Sequence, residues 1–404
     1  MAKSVLDGVM VIDFGQILAG PITTKYLAAL GATVINIEST TRHNAIRATT
    51  PYKDNIPGLN RSGYFALYNA NKYSITLDLK HPKGIEVVKR LIAKADIVSD
   101  NFVPGVMARL GLSYEDLKKI KPDIIMVSLS IQGQTEPYSQ QRGLGTALAG
   151  FAGFTHITGW PDRDPAQVYG AVTDLIAPPF AVVGILGALL YRHRTGKGQY
   201  LDLSQNEASL QFLAPLLVDY LVNGKIAGRT GNSCAYAAPH GVYRCKGDDR
   251  WCAIAVFTDA EWEAFCRVLG NPAWAKHPKF STLSDRKANE DELNKLVEAW
   301  TSNFNPEEVM TLMQADGVAA GIVQNSRDLI EDPQLKSRNY YRWLEHPEIG
   351  LCPHMGESFE LSKTPVELRT PAPCLGEHNE YVCCQLLGMS TEEFAQLFAE
   401  GVFK

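Results

Sequence analysis

The sequence lacks an excess of basic residues. Its 404 residues include 39 lysines and arginines against 44 aspartates and glutamates, which gives a formal net charge of −5. Because proteins bind a nucleic-acid backbone mainly through Lys and Arg, this balance argues against a general nucleic-acid binder. A small anionic ligand needs only a local cluster of cations, so that class of ligand stays open.

The sequence also lacks the cysteine and histidine spacing of metal sites and disulfide frameworks. Its eight cysteines are scattered, apart from the adjacent Cys383 and Cys384. This usage favours reduced thiols in a cytoplasmic protein. The closest two of nine histidines are His346 and His354, in a Pro-rich stretch. We therefore expect no metal site.

No long hydrophobic run is present. The longest uncharged apolar stretch, 175–191, contains two prolines and two glycines. It is shorter than the ~20 residues that a membrane span needs, so we expect a buried helix and no membrane partner. Residues 1–4 lead directly into a strand-like segment, and the pattern of a secretory leader is not seen.

Three common catalytic and nucleotide motifs are missing as well. Gly15 and Gly20 frame a loop that does not match the G-x-G-x-x-G pattern of dinucleotide sites. The segment 194–199 lacks the spacing of a phosphate-binding loop and reads as a plain turn. No G-x-S-x-G segment supports a serine hydrolase.

What is present is an alternation of strand-like and helix-like segments. Helical patterns separate the six expected strands, which implies a parallel sheet covered on both faces. The strands are expected at 9–12, 34–37, 74–79, 97–98, 124–129 and 200–203, with the first helix at 23–30 after a loop at 15–21.

The length implies two domains. Three glycines and mixed charge mark a boundary at 224–231, and a hairpin pattern follows at 240–244 and 251–257. We predict an α/β fold with a Rossmann-like large domain over 1–224, a smaller α+β domain over 225–330, and a return segment over 331–404 that completes the large domain. In the small domain, Asn305 and Glu308 form a helix-start signature.

One carboxylate stands out. Asp174 lies among small residues at the start of the long apolar stretch. An N-cap is the structural interpretation of that position. The positive end of a helix and small neighbours would also suit a carboxylate nucleophile. The local sequence is compatible with both roles.

Motifs along nearly the whole chain add a resemblance to the class III CoA-transferases. This family includes formyl-CoA:oxalate and carnitine CoA-transferases and the 2-methylacyl-CoA racemases. The motifs are LDG at 6–8, VID at 11–13, AGP at 19–21, LGATVINIE at 30–38, NKYSITLDLK at 71–80, AD at 95–96, NFVPG at 101–105, RLGL at 109–112, Asp174, RTGKGQ at 194–199, EA at 207–208, DPQ at 332–334, HP at 346–347, TP at 364–365 and APCLGEHN at 372–379.

The resemblance implies an enzyme that moves CoA from an acyl-CoA to an organic carboxylate through an aspartyl-CoA intermediate on Asp174. It implies CoA as a substrate with no tightly bound cofactor, and an interlocked homodimer or a heteromer with a related chain. Leu18 and Ala19 would approach the thioester. The CoA-binding residues would be Leu77, Leu79, Lys80, Asn101, Phe102, Arg109 and Arg142.

Departures from the family pattern narrow the chemistry. Leu18 replaces a glutamine of formyl-CoA transferase, and 233–239 replaces its glycine-rich loop, which favours a larger or less polar acyl group than formate or oxalate. Leu144 and Gly145 stand where racemases carry a His-Asp pair. A 2-methylacyl-CoA epimerase and a non-catalytic CoA-binding subunit remain alternatives. Succinate, a 2-hydroxy acid, an aryl-substituted succinate and a carnitine-like compound all stay open as the acid.

Overall fold

A computed structural model describes residues 4–404 of the chain. The described residues form two compact units. Unit 1 contains the chain up to Thr155 together with Gln167–Ile226 and Gln334–Lys404. Unit 2 contains His156–Ala166 and Ala227–Pro333. The chain thus passes into the larger part of unit 2 after Ile226.

Unit 1 is built on a six-stranded parallel sheet with the strand order β3-β2-β1-β4-β5-β6. This confirms the α/β fold with a parallel sheet. The strands of unit 1 and unit 2 in chain order are β1 (Met10–Asp13), β2 (Thr33–Glu38), β3 (Lys72–Thr76), β4 (Ile97–Asp100), β5 (Ile125–Ser130), β6 (Tyr200–Ser204), β7 (His240–Arg244), β8 (Trp251–Ala255), β9 (Ala319–Ile322), β10 (Tyr341–His346) and β11 (Gly350–Met355).

Seventeen α-helices accompany these strands in the described part of the chain. They are α1 (Ala19–Ala29), α2 (Gly63–Asn69), α3 (Pro82–Lys94), α4 (Val106–Arg109), α5 (Tyr114–Ile120), α6 (Gly145–Phe151), α7 (Phe154–Ile157), α8 (Val172–Thr195), α9 (Gln205–Leu210), α10 (Ala214–Asn223), α11 (Asp259–Val268), α12 (Leu283–Ala288), α13 (Glu290–Thr301), α14 (Pro306–Ala315), α15 (Ser326–Glu331), α16 (Pro333–Ser337) and α17 (Thr391–Ala399).

Helix α1 begins at Ala19, earlier than the expected helix at 23–30. Pro21 falls in its first turn, where a residue without an N–H group leaves no helical hydrogen bond unmade. The loop after β1 is therefore shorter than predicted, and Leu18 is the N-cap residue of α1. This places Leu18 close to the carboxyl end of β1, a central strand of the sheet.

Helix α8 connects β5 to β6 and is long and apolar enough to span a membrane by length and composition. Our length argument against a span is therefore wrong. One face of α8 is buried in the core of unit 1 through Ala177, Ala181, Ile185 and Ala188, which are fully buried. The opposite face is exposed, so α8 is only partly the buried helix that we expected.

The C-terminal segment of unit 1 covers the β3 edge of the sheet. The backbone N–H of His378 donates to the Ser74 carbonyl at 2.9 Å, and the N–H of Thr76 donates to Asn379 Oδ1 at 2.8 Å. These bonds satisfy edge groups that would otherwise be open. His346 and His354, expected in an irregular connection, lie on the antiparallel strands β10 and β11.

Unit 2 has a three-stranded antiparallel sheet in the order β7-β8-β9. The β7–β8 pairing confirms the predicted hairpin. Phe265, Phe280 and Leu293 are fully buried in its core. The capping box of Asn305 and Glu308 opens α14 as predicted.

Candidate active site

The candidate site lies where the strand order of the sheet reverses. β1 and β4 are neighbours, but β1 leads to β2 on one side while β4 leads to β5 on the other. Loops that leave the carboxyl ends of two such strands diverge, and open α/β sheets bind ligands in the crevice between them. Here those loops contain residues 16–18 after β1 and 101–105 after β4.

Asn101 ties the two loops together. Its Oδ1 accepts a hydrogen bond from the Gln16 N–H at 2.7 Å, and its Nδ2 donates to the Gln16 carbonyl at 2.7 Å. Ile17, which follows Gln16, has φ 63°, a left-handed conformation that is rare for a β-branched residue. The Ile17 N–H donates to Asn44 Oδ1 at 2.9 Å. Hydrogen bonds on both residues thus hold a strained backbone in place.

The support for Asn44 is a buried ion pair. Its N–H donates to Glu38 Oε1 at 2.7 Å. Arg47 Nη2 lies 2.7 Å from Glu38 Oε2, and both side chains are fully buried. The carboxylate is thereby paired and hydrogen-bonded, which is the condition for keeping a charge in a protein interior. The hydrogen bonds among Glu38, Asn44 and Arg47 therefore support the loop after β1 through the contact of Asn44 with Ile17.

A cavity of about 470 Å³ opens beside these loops. It brings together segments from the carboxyl ends of β1, β4, β5 and β6 with the start of α6 and α8. Its lining residues are Ile17, Leu18, Ala45, Ile46, Thr49, Asn101, Phe102, Val103, Pro104, Leu129, Ser130, Ile131, Ser139, Gln141, Gly143, Leu144, Gly145, Thr146, Ala171, Asp174 and Gln205.

Asp174 is a buried carboxylate in the wall of this cavity, with 9% of its surface exposed. It lies in the first turn of α8, whose N-cap residue is Ala171, so the predicted N-cap role of Asp174 is wrong. In residues 4–404 no donor hydrogen-bonds its carboxylate oxygens. Burial raises the pKa of Asp174 to about 6. The carboxylate is ionised at neutral pH and more basic than an ordinary aspartate.

Gly145 makes room for this carboxylate. A Cβ atom at Gly145 would lie 2.5 Å from Asp174 Oδ2 and 2.3 Å from the Ala171 Cβ atom. Both distances are well below van der Waals contact, so a larger residue would displace the carboxylate. The stretch 143–159 is rich in glycine and alanine, and at Gly145 the missing side chain allows this close approach.

The predicted site residues divide into two groups. Leu18, Asn101 and Phe102 line the cavity together with Asp174. The other six lie outside its lining: Ala19 and Leu77 are buried, Leu79 is partly buried against the core, and Lys80, Arg109 and Arg142 are exposed. Leu77–Lys80 follows β3, because that strand ends at Thr76 rather than at the expected Leu79.

Two residues that the sequence did not single out also line the cavity. Ser130 ends β5, and Gln205 begins α9 directly after β6. Each is 5% exposed. The carboxyl-end rule for parallel strands could have found both once the strand ends were known. Tyr64 is also influenced by the site: burial raises its pKa, and the charge of Asp174 adds to that effect.

Comparisons with known proteins agree with this geometry. Residues 6–379 match the CoA-transferase family III. The succinyl-CoA–D-citramalate CoA-transferase of Chloroflexus aurantiacus is 33% identical over 397 residues, which cover 98% of each chain. The alpha subunit of the succinyl-CoA–L-malate CoA-transferase from the same organism is 32% identical over 97% of this chain and 91% of its own.

A solved structure gives the same result for the fold. The crystal structure of a CAIB/BAIF family protein from Brucella suis superposes with a TM-score of 0.87 at 32% identity, covering 95% of this chain and 100% of that one. The resemblance that the sequence motifs suggested is confirmed across nearly the whole chain. The chain belongs to CoA-transferase family III and is an enzyme of that family.

Proposed function

We propose that the protein moves CoA from an acyl-CoA to an organic carboxylate, with Asp174 as the nucleophile. The observation that carries the proposal is a buried carboxylate that lines a cavity and has no hydrogen-bond donor within residues 4–404. Its oxygens are free to attack a carbonyl carbon. Its neighbours Ala171 and Gly145 are small, so a thioester can approach.

The reaction proceeds in four exchanges. An Asp174 oxygen attacks the thioester carbonyl, the C–S bond breaks, and CoA leaves as the thiolate from a mixed anhydride. The thiolate attacks the Asp174 carbonyl, which gives an aspartyl-CoA thioester and frees the donor acid. The acceptor carboxylate attacks that thioester and again releases the thiolate. The thiolate finally attacks the acceptor carbonyl of the second anhydride and restores the Asp174 carboxylate.

The electrostatics of the site suit these steps. A carboxylate that burial has made more basic is a better nucleophile than one in water, because it loses less solvation as it attacks. The first turn of α8 places Asp174 at the positive end of a helix, which favours the ionised form at neutral pH. Each exchange conserves the energy of the thioester bond.

The same cavity disfavours the epimerase alternative. Proton transfer at the α-carbon of an acyl-CoA needs a side-chain base, and Leu144 and Gly145 provide none at the positions where the racemases carry theirs. Among the described lining residues, Asp174 is the one ionisable side chain. One carboxylate can serve as a nucleophile, whereas racemisation requires an acid and a base.

The CoA moiety would extend from the cavity past Asn101 and Phe102, which line it. The exposed cations Lys80 and Arg109 are available for the nucleotide phosphates, and Phe102 offers an apolar ring to pantetheine or adenine. Relatives named for succinyl-CoA, D-citramalate and L-malate support a small organic acid as the partner in exchange.

We also propose that two copies of the chain form a homodimer. Leu175, Val183 and Leu190 form an exposed apolar stripe along α8. Helix α10 has no buried residue and exposes Leu221 and Val222 among others. Exposed apolar surface of this extent marks an interface in a folded protein. An unlike chain could cover the same surface, since one relative is named as an alpha subunit.

A covalent trap tests the nucleophile. The protein is mixed with a panel of short acyl-CoA donors and quenched with hydroxylamine, which converts an aspartyl thioester or anhydride into a hydroxamate. We expect the hydroxamate on Asp174 in a peptide digest. Asp100 serves as an internal control, because it is also buried with a pKa raised to about 6, yet it lies outside the cavity lining. A hydroxamate on another residue, or the absence of a hydroxamate with every donor tested, would refute the proposed mechanism.

Sedimentation tests the dimer. We expect a dimer for the wild-type protein and a monomer for Val183→Glu, since Val183 is 70% exposed in the single chain. Ile56→Glu is the matched control, because Ile56 is 56% exposed and lies on neither helix. A monomeric wild-type protein would point to an unlike partner instead.

A further inference from the structure

Ser130 and Gln205 are two polar residues in the cavity that neither the fold nor the reaction above uses. β5 and β6 run side by side, and Ser130 is paired in register with Ser204, the residue before Gln205. Both residues line the cavity that holds Asp174. Their position at adjacent strand ends makes them neighbours in its wall.

Each of these side chains contains a buried oxygen without a partner. Ser130 Oγ and Gln205 Oε1 make no hydrogen bond in the structure and are closed off from solvent, so a substrate reaches them only after a rotation about their side-chain bonds. Both residues are 5% exposed. A buried polar atom without a partner costs free energy, and a ligand that completes its hydrogen bond recovers that cost. Two of them in the wall of a reaction cavity point to a bound substrate.

The surroundings of this pair are built to hold them still. The Ser204 N-cap of α9 accepts from the Glu207 N–H at 3.2 Å. The Asn206 N–H donates to the Ile131 carbonyl at 3.0 Å and so ties α9 to the segment after β5. Gln132 continues this connection, because it accepts from Asn206 Nδ2 at 3.0 Å. These hydrogen bonds join the segments that follow β5 and β6.

The chemistry of the two oxygens identifies a matching group. A carboxamide oxygen only accepts, whereas a serine hydroxyl both donates and accepts. An alcohol on the ligand can donate to Gln205 Oε1 and accept from Ser130 Oγ at the same time. A second carboxylate fits less well, because it cannot donate to Gln205, no described lining residue is cationic, and Asp174 already places a negative charge in the cavity.

We propose that Ser130 and Gln205 form an acyl subsite that binds a hydroxyl group on the substrate, so that the enzyme selects hydroxy acids over their deoxy analogues. This inference rests on the proposed CoA transfer at Asp174. Leu18 and Ile131 supply apolar surface for the carbon chain of such an acid in the same cavity. A site that completes a buried polar pair with a substrate hydroxyl penalises an analogue that lacks it.

The experiment compares acceptors that differ by one hydroxyl. Lactate is paired with propionate, and 3-hydroxybutyrate and 4-hydroxybutyrate are each paired with butyrate, with succinate as a doubly charged comparison. The donor is the acyl-CoA that gives the highest Asp174 adduct, and the product thioesters are quantified by mass spectrometry. We expect kcat/KM to favour the hydroxy acid in at least one pair by about tenfold or more.

Variants then assign that preference. Ser130→Ala and Gln205→Met are each expected to reduce the hydroxy-to-deoxy ratio by roughly tenfold, mainly through the KM of the hydroxy acid. Ser99→Ala is the matched control. Ser99 Oγ is also buried and without a partner, but Ser99 lies in β4 outside the cavity lining, so its substitution should leave the ratio unchanged.

The outcomes separate this inference from the proposed function. If no pair favours the hydroxy acid, if succinate is preferred to every hydroxy acid, or if both variants keep the wild-type ratio, the subsite is refuted. A hydroxamate on Asp174 in the same protein would then leave the transferase proposal standing. Absence of both the adduct and any transfer would overturn the two together.

Discussion

Replacing Asp174 by asparagine should make the protein more stable while it abolishes transfer. Asparagine keeps the shape of the side chain and removes the charge. Burial raises the pKa of Asp174 from an ordinary value of 3.8 to about 6. One pKa unit corresponds to about 1.4 kcal/mol, so the ionised carboxylate destabilises the folded state by roughly 3 kcal/mol at pH 8. The carboxylate is 9% exposed, so solvent screens little of this cost.

The dependence on pH follows from the direction of the shift. A raised pKa means that the folded state holds the proton of Asp174 more tightly than the unfolded state does. Stability from this group is therefore full below about pH 4, falls as the pH rises, and is lost above about pH 6. The Asn variant should gain its full advantage at pH 8 and almost none at pH 4.

Urea denaturation at the two pH values measures this difference. Glu86→Gln is the control, because it removes a charge from the exposed side of α3 without touching the cavity. We expect Asp174→Asn to raise the midpoint at pH 8 and Glu86→Gln to leave it nearly unchanged. A variant that is no more stable than the wild type at pH 8, or equally stabilised at pH 4, would refute the description of Asp174 as a desolvated carboxylate.

Four further predictions test other parts of the site. Below about pH 6 the wild-type kcat/KM should fall tenfold per pH unit as Asp174 is protonated, and a flat profile down to pH 5 would contradict the pKa. Gly145→Ala should displace the carboxylate and lower kcat at least tenfold with little change in CoA affinity, because the new Cβ would lie 2.5 Å from Asp174 Oδ2. A normal kcat would show that the residues around Asp174 shift to accommodate the methyl group. Asn44→Ala should release the strained backbone of Ile17 and lower kcat. Adding Ile17→Gly should recover part of the lost kcat, because glycine adopts φ 63° without strain. If kcat does not recover, the backbone conformation at residue 17 is irrelevant to the reaction. Arg109→Ala should weaken CoA binding by roughly tenfold to a hundredfold in titration calorimetry, and unchanged affinity would exclude Arg109 from the CoA site.

Most of the sheet could be predicted because its inner strands are buried on both faces. Val11, Ile35 and Val127 belong to short runs of apolar residues bounded by turn residues, and such runs mark parallel strands. The start of α1 was predicted less accurately than the strands. Pro21 resembles a loop residue, yet a proline in the first turn of a helix is as favourable as one before it.

The site was predicted only in part, for a physical reason. Asp174, Leu18, Asn101 and Phe102 lie at strand and helix ends that the motifs marked, and the cavity unites them. Ser130 lies just beyond the strand expected at 124–129, and the sequence did not single it out. Whether a serine in that position is exposed, paired or open to a cavity depends on the elements around it, because the contacts that decide it are tertiary.

The buried carboxylates of the described chain show what distinguishes Asp174. Four aspartate or glutamate residues are buried as whole residues, all in unit 1, and the three besides Asp174 have partners. Glu38 is paired with Arg47, Asp13 lies 3.2 Å from Lys72 Nζ, and Asp100 accepts from the Ser128 hydroxyl at 2.6 Å. A protein that satisfies its buried charges so consistently would gain stability by pairing or replacing the fourth.

Keeping Asp174 unpaired therefore costs free energy that only a function can offset. A donor on its oxygens would lower its pKa and occupy the lone pairs that must attack a thioester. The unpartnered oxygens of Ser130 and Gln205 in the same cavity carry the same kind of cost. Both costs fall within one cavity at the carboxyl end of the sheet, whereas Glu38 and Arg47 beneath it are fully paired. That contrast supports Asp174 and this cavity as the reaction centre.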